Sequence, residues 1–395
     1  MKGRDAMAAS IPVTEFQERA RRLQSLMRKN DLDIILSYGN EAEPQYLRYF
    51  SNYWPSFETG AALIPVEGDP ILLIGPESLS YASDRSVIPT IRLLKAFRES
   101  SEPEYPGKKL DTFPQVFDEA LNGRKVKRIG VAGLPLMTIG VYQALRESVP
   151  DAEIVKADDL VNELRMIKTE NELICMREAA SITHRAFDYV LEHAHVGMTE
   201  TQVVGLALGK IHELGAERES YPFWVLAGEG GNQAISRPRD KVICKGDEVM
   251  MQFGARVASY ASSIGRSVVF GKADDRQRSM IEAGYSLHQM VLDTARDGMP
   301  ACELARMHKE LADRIGYGDW VLYGPCHGNG TMEGEAPWVE TSADFILREN
   351  MTFCLDIFLG NDATKRGLRI EDVIRITKTG VENLTDYPKK IFEIL

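Results

Sequence analysis

His327 lies in the stretch Gly324-Pro325-Cys326-His327-Gly328-Asn329-Gly330, where glycines leave room for backbone to approach a ligand closely. Glu335 and Pro337 follow shortly after it. Downstream, Phe353-Cys354-Leu355-Asp356-Ile357-Phe358 sets one carboxylate in an apolar run, and Leu368-Arg369-Ile370-Glu371-Asp372-Val373-Ile374 does the same for Glu371. A carboxylate in an apolar strand is costly to bury unless it is paired, hydrogen-bonded or bound to a metal. Two of them with a glycine-flanked histidine suit acid–base or metal chemistry. The plainer alternative stays open on the residues alone. In it each carboxylate faces solvent or pairs with Arg369 or Arg375, and the histidine is a structural hydrogen bonder.

These residues need a scaffold, and the hydrophobic pattern describes one. Thr14 and Gln17 form a capping-box pattern opening a helix with Phe16, Ala20, Leu23 and Met27 on one face. Ile34–Leu36 reads as a strand, and residues 60–66 and 70–75 flank Glu67-Gly68-Asp69 as a β-hairpin. Ile129–Ala132 reads as a strand before a helix near 138–148. That alternation predicts a small α/β domain with a mostly parallel or mixed sheet. The pattern from Leu164 to Tyr189 is one long helix, and Thr199 with Gln202 caps another. Val242–Phe253 and Ser263–Phe270 alternate as strands joined through Ala255–Ser262. Helical patterns return at about 277–296 and 302–315, and strand-like runs at 352–359 and 369–376 close the chain. Helix pairs interleaved with antiparallel strand pairs suggest two copies of one α/β unit. Residues 1–11 read as a loose arm, and the domains are placed at 1–160 and 161–395.

Composition narrows the class. With 44% apolar and 27% charged residues, the 395-residue chain is an ordinary globular sequence of about two domains. A net charge of −11 with no basic run gives no footprint for nucleic acid. The five cysteines are scattered, odd in number and never in CxxC spacing, which argues against a disulfide framework and against a thiolate zinc site. No apolar stretch approaches the length of a membrane span, and the N-terminus lacks a signal-peptide core. A cytoplasmic protein acting on a small molecule, away from membranes and nucleic acid, is the expectation.

Read in order, Gln252-Phe253-Gly254, Tyr260-Ala261-Ser262-Ser263-Ile264-Gly265-Arg266-Ser267, His327, Asp356 and Arg369-Ile370-Glu371-Asp372 resemble the creatinase/prolidase/methionine aminopeptidase family. Leu164-Arg165-x-x-Lys168-x-x-x-Glu172 resembles that family's interdomain helix start. The resemblance implies an α/β (α+β) architecture with a creatinase-like N-terminal domain and a C-terminal pita-bread domain. It also implies a homodimer in which one subunit's N-terminal domain covers the other's pocket, with Tyr53, Trp54 and Phe57 as lid residues. Family peptidases hold two divalent ions through Asp, Asp, His, Glu and Glu.

Carried over position by position, those ligands become Gln252, Ser263, His327, Asp356 and Glu371. Two carboxylates have become an amide and a hydroxyl, and a glutamate has shortened to aspartate. Divalent ions such as manganese favour anionic oxygen, so a two-metal site is not expected. The family's second loop histidine is Gly334 here, and no histidine lies in Gln233–Pro238. The resulting expectation is a metal-independent, creatinase-like hydrolase of a C–N bond in a small amidino, amide or cyclic substrate, with no cofactor. His327, Asp356, Glu371 and Glu335 would be catalytic, and Gln252, Ser263, Arg266, Tyr221, Trp224 and Trp338 would bind substrate. Two alternatives accompany it. One is a non-catalytic binding protein. The other is an Xaa-Pro peptidase retaining a single ion on His327, Asp356 and Glu371.

Overall fold

The computed structural model describes residues 9–395, so most of the arm expected at 1–11 lies outside the described residues. Two compact units divide the chain, Ile11–Arg165 and Met166–Leu395, with residues 9 and 10 counted in the latter. No helix among the described residues is long and apolar enough to cross a membrane.

The first unit is built on a six-stranded sheet. Its strands are β1 (Ile34–Gly39), β2 (Gly60–Pro65), β3 (Ile71–Ile74), β4 (Ile91–Leu93), β5 (Arg128–Ala132) and β6 (Glu153–Lys156), in the order β4-β3-β2-β1-β5-β6. β1 pairs antiparallel with β2 and parallel with β5, so the sheet is mixed as expected. The predicted hairpin is β2–β3. Every residue of β1, β2 and β3 is buried, because helices cover both faces of the sheet. The first helix starts at Val13 after Pro12 and has no side-chain cap, which corrects the capping box read at Thr14. Tyr53 is fully buried in this unit's own core and cannot act as a lid residue, whereas Phe57 is 82% exposed.

Among the described residues the second unit carries twelve strands: β7 (Arg218–Glu219), β8 (Trp224–Ala227), β9 (Glu248–Phe253), β10 (Ala255–Val257), β11 (Tyr260–Ala261), β12 (Ile264–Phe270), β13 (Cys326–Gly328), β14 (Glu335–Val339), β15 (Thr352–Asn361), β16 (Arg366–Ile376), β17 (Val381–Asn383) and β18 (Phe392–Ile394). The main sheet runs β14-β13-β15-β16-β12-β9-β8, with β17 on β16 and β18 parallel to β12. Helices Glu170–His193 and Glu200–Glu213 share a core with β8, β9 and β12. Helices Asp275–Thr294 and Ala301–Arg314 share another with β15 and β16. The two helix pairs thus cap one curved sheet, the arrangement of a pita-bread domain.

Two details depart from the sequence reading. The long helix expected from Leu164 is broken after Met166, and a new helix starts at Glu170. Thr169 caps it: its hydroxyl accepts from Glu172 N at 3.2 Å while Glu172 returns a carboxylate to Thr169 N at 2.7 Å. The strand expected from Val242 begins only at Glu248, because Gly246 takes φ 91° in a turn closed by Asp247 N on Cys244 O.

Side-chain alternation along the strands decides which residues meet. On β15, Phe353, Leu355, Ile357 and Leu359 pack into the helix-side core. Cys354, Asp356 and Phe358 therefore point to the other face. On β16, Leu368, Ile370 and Ile374 join the same core, which turns Arg369 and Glu371 the opposite way. On β9, Val249, Met251 and Phe253 are in the helix-side core, leaving Met250 and Gln252 on the concave side.

Candidate active site

One row of side chains crosses the concave face. Asp356 stands opposite Glu371 in the β15–β16 ladder, Glu371 opposite Gly265, Gly265 opposite Gln252, and Gln252 opposite Trp224. A Cβ on Gly265 would come within 2.9 Å of Glu371 Cβ. The bare glycine leaves the gap across which the Gln252 amide donates to Glu371 Oε2.

Arg369 organises the centre. Its Nη1 donates to Gln252 Oε1 at 2.6 Å, and its Nη2 donates to the Tyr323 hydroxyl at 2.7 Å and to Ala234 O at 2.9 Å. Its Nε lies 3.3 Å from Asp356 Oδ1, and its guanidinium sits 4.6 Å from the Trp224 ring centroid. Tyr323 donates to Asp356 Oδ2 at 2.7 Å. Asp356 is therefore held by a cation and a phenol. Gln252 is oriented in turn: with its oxygen on the guanidinium, only its N–H can face Glu371.

His327 enters from β13. Its Nδ1 lies 3.2 Å from Gly328 O; when Nδ1–H donates there, Nε2 presents a lone pair to the carboxylates. Nε2 is 3.8 Å from Glu333 Oε1 and 4.0 Å from Asp356 Oδ2, and the ring lies against Trp338, centroids 4.9 Å apart. Ser263 Oγ is 2.8 Å from the Tyr221 hydroxyl and 3.5 Å from Gln252 Nε2.

Eight expected site residues are thus brought together: His327, Asp356, Glu371, Gln252, Ser263, Tyr221, Trp224 and Trp338. Two are not. Arg266 points to the helix side, where it binds Asp372 Oδ1 at 2.9 Å and the carbonyls of Glu371 and Tyr387. His288 also approaches Asp372, at 3.2 Å. The reason is period two: Arg266 follows Gly265, so its side chain leaves by the opposite face from the row. Glu335 pairs with Lys168 at 3.2 Å and accepts from Met332 N at 3.3 Å, fixing the glycine loop rather than joining the carboxylates.

The sequence reading missed Glu333, Cys354 and Tyr323. One ligand atom each from His327, Glu333, Cys354 and Glu371 all lie within 4.8 Å of one another. Cys354 was legible in principle, being two residues before Asp356 and hence on its face of the strand. Glu333 reaches the cluster only through the fold of the glycine loop.

Burial, with the charges of Asp356 and Glu333 added, pushes the Glu371 carboxyl well above its usual range. Burial likewise raises Glu333, and Asp356 adds to it. The Cys354 thiol is pushed up by burial and by both glutamates. Burial would raise Asp372, on the other face, but Arg266 and His288 outweigh it and hold that carboxyl low.

Fold and site together define a two-domain hydrolase of the pita-bread class. The chain belongs to the family described as Metallopeptidase family M24, which matches residues 174–378, and carries a Creatinase/Prolidase N-terminal domain over residues 19–167. Membership places it among hydrolases acting on C–N bonds. It is 26% identical over 380 residues to an Xaa-Pro dipeptidase of Pyrococcus furiosus, covering 95% of this chain and all of that one. An Xaa-Pro dipeptidase of Lactobacillus delbrueckii subsp. lactis is 29% identical over 259 residues, 65% of this chain and 70% of that one. The structure of an X-Pro aminopeptidase from Thermotoga maritima superimposes with a TM-score of 0.82 at 24% identity, covering 95% of this chain and 99% of that one, and speaks for the fold.

Proposed function

We propose that this chain hydrolyses the C–N bond of a small peptide substrate of the Xaa-Pro class, using one divalent ion where family peptidases use two. The names of the relatives favour this reading over the metal-independent amidino or cyclic-amide hydrolase expected from sequence. The observation that carries it is charge. Asp356, Glu371 and Glu333 bring three carboxylates to the site and Arg369 one guanidinium, a net −2 (−3 if Cys354 ionises too), which one divalent ion balances to within a single charge and a second would turn positive. A second ion also lacks ligands. Gln252 and Ser263 are neutral, and the Gln252 amide turns a donor, not a lone pair, toward Glu371. Asp356 is committed to Arg369 and Tyr323, so the single-ion set expected as His327, Asp356 and Glu371 is revised to one anchored on His327 and Glu371.

A bound divalent ion would polarise the scissile carbonyl and lower the pKa of a coordinated water. The chain's own residues do the rest. Burial raises both Glu333 and Glu371 and the Asp356 charge adds to each, so a cation is what lets the two be ionised together. Arg369 pairs with Asp356 and keeps Gln252 aligned. Trp224 and Trp338 wall the row. The assembled form is proposed as a homodimer, with exposed Phe57 and not Tyr53 as its lid residue.

Hydrolysis of a panel of Xaa-Pro and other dipeptides, with ions counted by elemental analysis on protein purified without chelator, tests this. About one ion per chain and activity abolished by chelation are expected. Two ions per chain, or undiminished cleavage by metal-stripped protein, would overturn it.

A further inference from the structure

We infer that the ion is held by a mixed set, His327 Nε2, the Cys354 thiolate and the Glu371 carboxylate, with the Glu333 carboxylate closing the fourth position until water or substrate displaces it, which makes this a zinc-selective centre. The inference rests on the single-ion reading above and adds two ligands, Cys354 and Glu333, at positions outside the five carried over from the family resemblance.

Geometry comes first. The four ligand atoms lie within 4.8 Å of one another, while ligands around a tetrahedral ion at bond lengths of about 2.0–2.3 Å sit roughly 3.5 Å apart. Closing the set needs shifts of about 1 Å, within reach of side-chain rotation. No backbone rearrangement is called for, because Cys354 and Glu371 sit on neighbouring strands and His327 is paired directly with Cys354.

Next comes an unmet valence. Glu371 is fully buried; Gln252 satisfies Oε2, but Oε1 meets no N–H donor among the described residues, and only Glu333 and Cys354 of the same cluster contend for the carboxyl. A buried acceptor of this kind is expensive to leave empty, and a cation at the centre of the four atoms would satisfy it.

The sulfur is also prepared. Asn329, itself fully buried, points Nδ2 at Cys354 Sγ at 3.4 Å. A donor aimed at a sulfur stabilises the thiolate over the thiol and orients it, the usual role of an outer partner to a metal ligand. Without an ion the thiol donates to Glu333 O at 3.7 Å, so loading would break that contact and release the thiol proton to solvent as the metal–sulfur bond forms. A thiolate and an imidazole among four ligands favour zinc or cobalt over manganese or magnesium, which prefer oxygen.

Cobalt(II) added to chelator-stripped protein tests the inference through a thiolate-to-cobalt charge-transfer band in the near ultraviolet. Wild type and Cys244→Ser, altered at an exposed cysteine, should show it. Cys354→Ser should lack it and bind zinc more than about tenfold more weakly. X-ray absorption of zinc-loaded wild type needs no variant and should show one sulfur neighbour at about 2.3 Å. A shell of nitrogen and oxygen only, or a band retained in Cys354→Ser, would overturn the inference. The two readings separate cleanly. Dipeptide cleavage with no sulfur ligand would sink this inference alone, and a sulfur ligand with no dipeptide cleavage would sink the peptidase reading alone.

Discussion

The Gln252 side chain donates its amide N–H to Glu371 from a strand two places away, across the bare backbone of Gly265. A neutral donor thus stands where a second cation's ligand would otherwise stand. Removing it should be felt twice, since Gln252→Ala strips a partner from Glu371 and another from Arg369. The expected loss is about 1–3 kcal/mol of stability in chelator, read from urea unfolding. Gln252→Asp should instead raise ion uptake above one per chain by elemental analysis, because it adds a carboxylate to the row.

Arg369 is buried and is the cation that faces Asp356. Arg369→Met should cost about 3–5 kcal/mol, because it leaves a buried carboxylate uncompensated. Arg369→Lys should recover little of that, since one ammonium cannot reach Gln252, Tyr323 and Asp356 together as a planar fork does. Chemical denaturation of the three proteins side by side checks both statements.

Arg266 separates a structural arginine from a substrate-binding one. Its salt bridge to Asp372 is completely buried on the helix side of the sheet. Arg266→Leu should destabilise by about 3–5 kcal/mol while leaving KM unchanged in whatever folded protein is recovered. A large rise in KM with normal stability would place Arg266 back among the substrate contacts.

Glu248, at the start of β9, supplies a pH dependence away from the row. It is buried, its Oε1 lacks a partner among the described residues, and burial pushes its carboxyl from the usual 4.5 up to about 7. Between those values the folded chain binds more protons at this site than the unfolded chain does. Its stability contribution is therefore full below about pH 4 and is lost as pH rises through 7. The shift corresponds to roughly 3 kcal/mol. Glu248→Gln should flatten the decline in melting temperature between pH 5 and 8, with the two proteins converging at acidic pH.

Much of this was legible in the sequence because alternation and capping are local. The apolar neighbours of Asp356 and Glu371 correctly placed both on strands, and the Thr199–Gln202 box marks a true helix start. What escaped was set by register and loop path. Alternation shows locally that Arg266 faces away from the Gly265 position, but that this position shares its face with Glu371 follows only from the pairing of the two strands. Glu333 reads as one of many acidic residues until the glycine loop folds it toward His327. Arg369 was legible only as a partner for a strand carboxylate, not as the group that also orients Gln252.

Trp338 pairs with His327 across β13 and β14, lies tilted against its ring, and is 41% exposed at the rim. Its indole emission should therefore respond to anything that docks beside the imidazole. The chain carries only four tryptophans, so a Trp338→Phe difference spectrum would isolate that signal. The site comes with its own fluorophore, and ligand titrations can be followed on unlabelled protein before any substrate has been found.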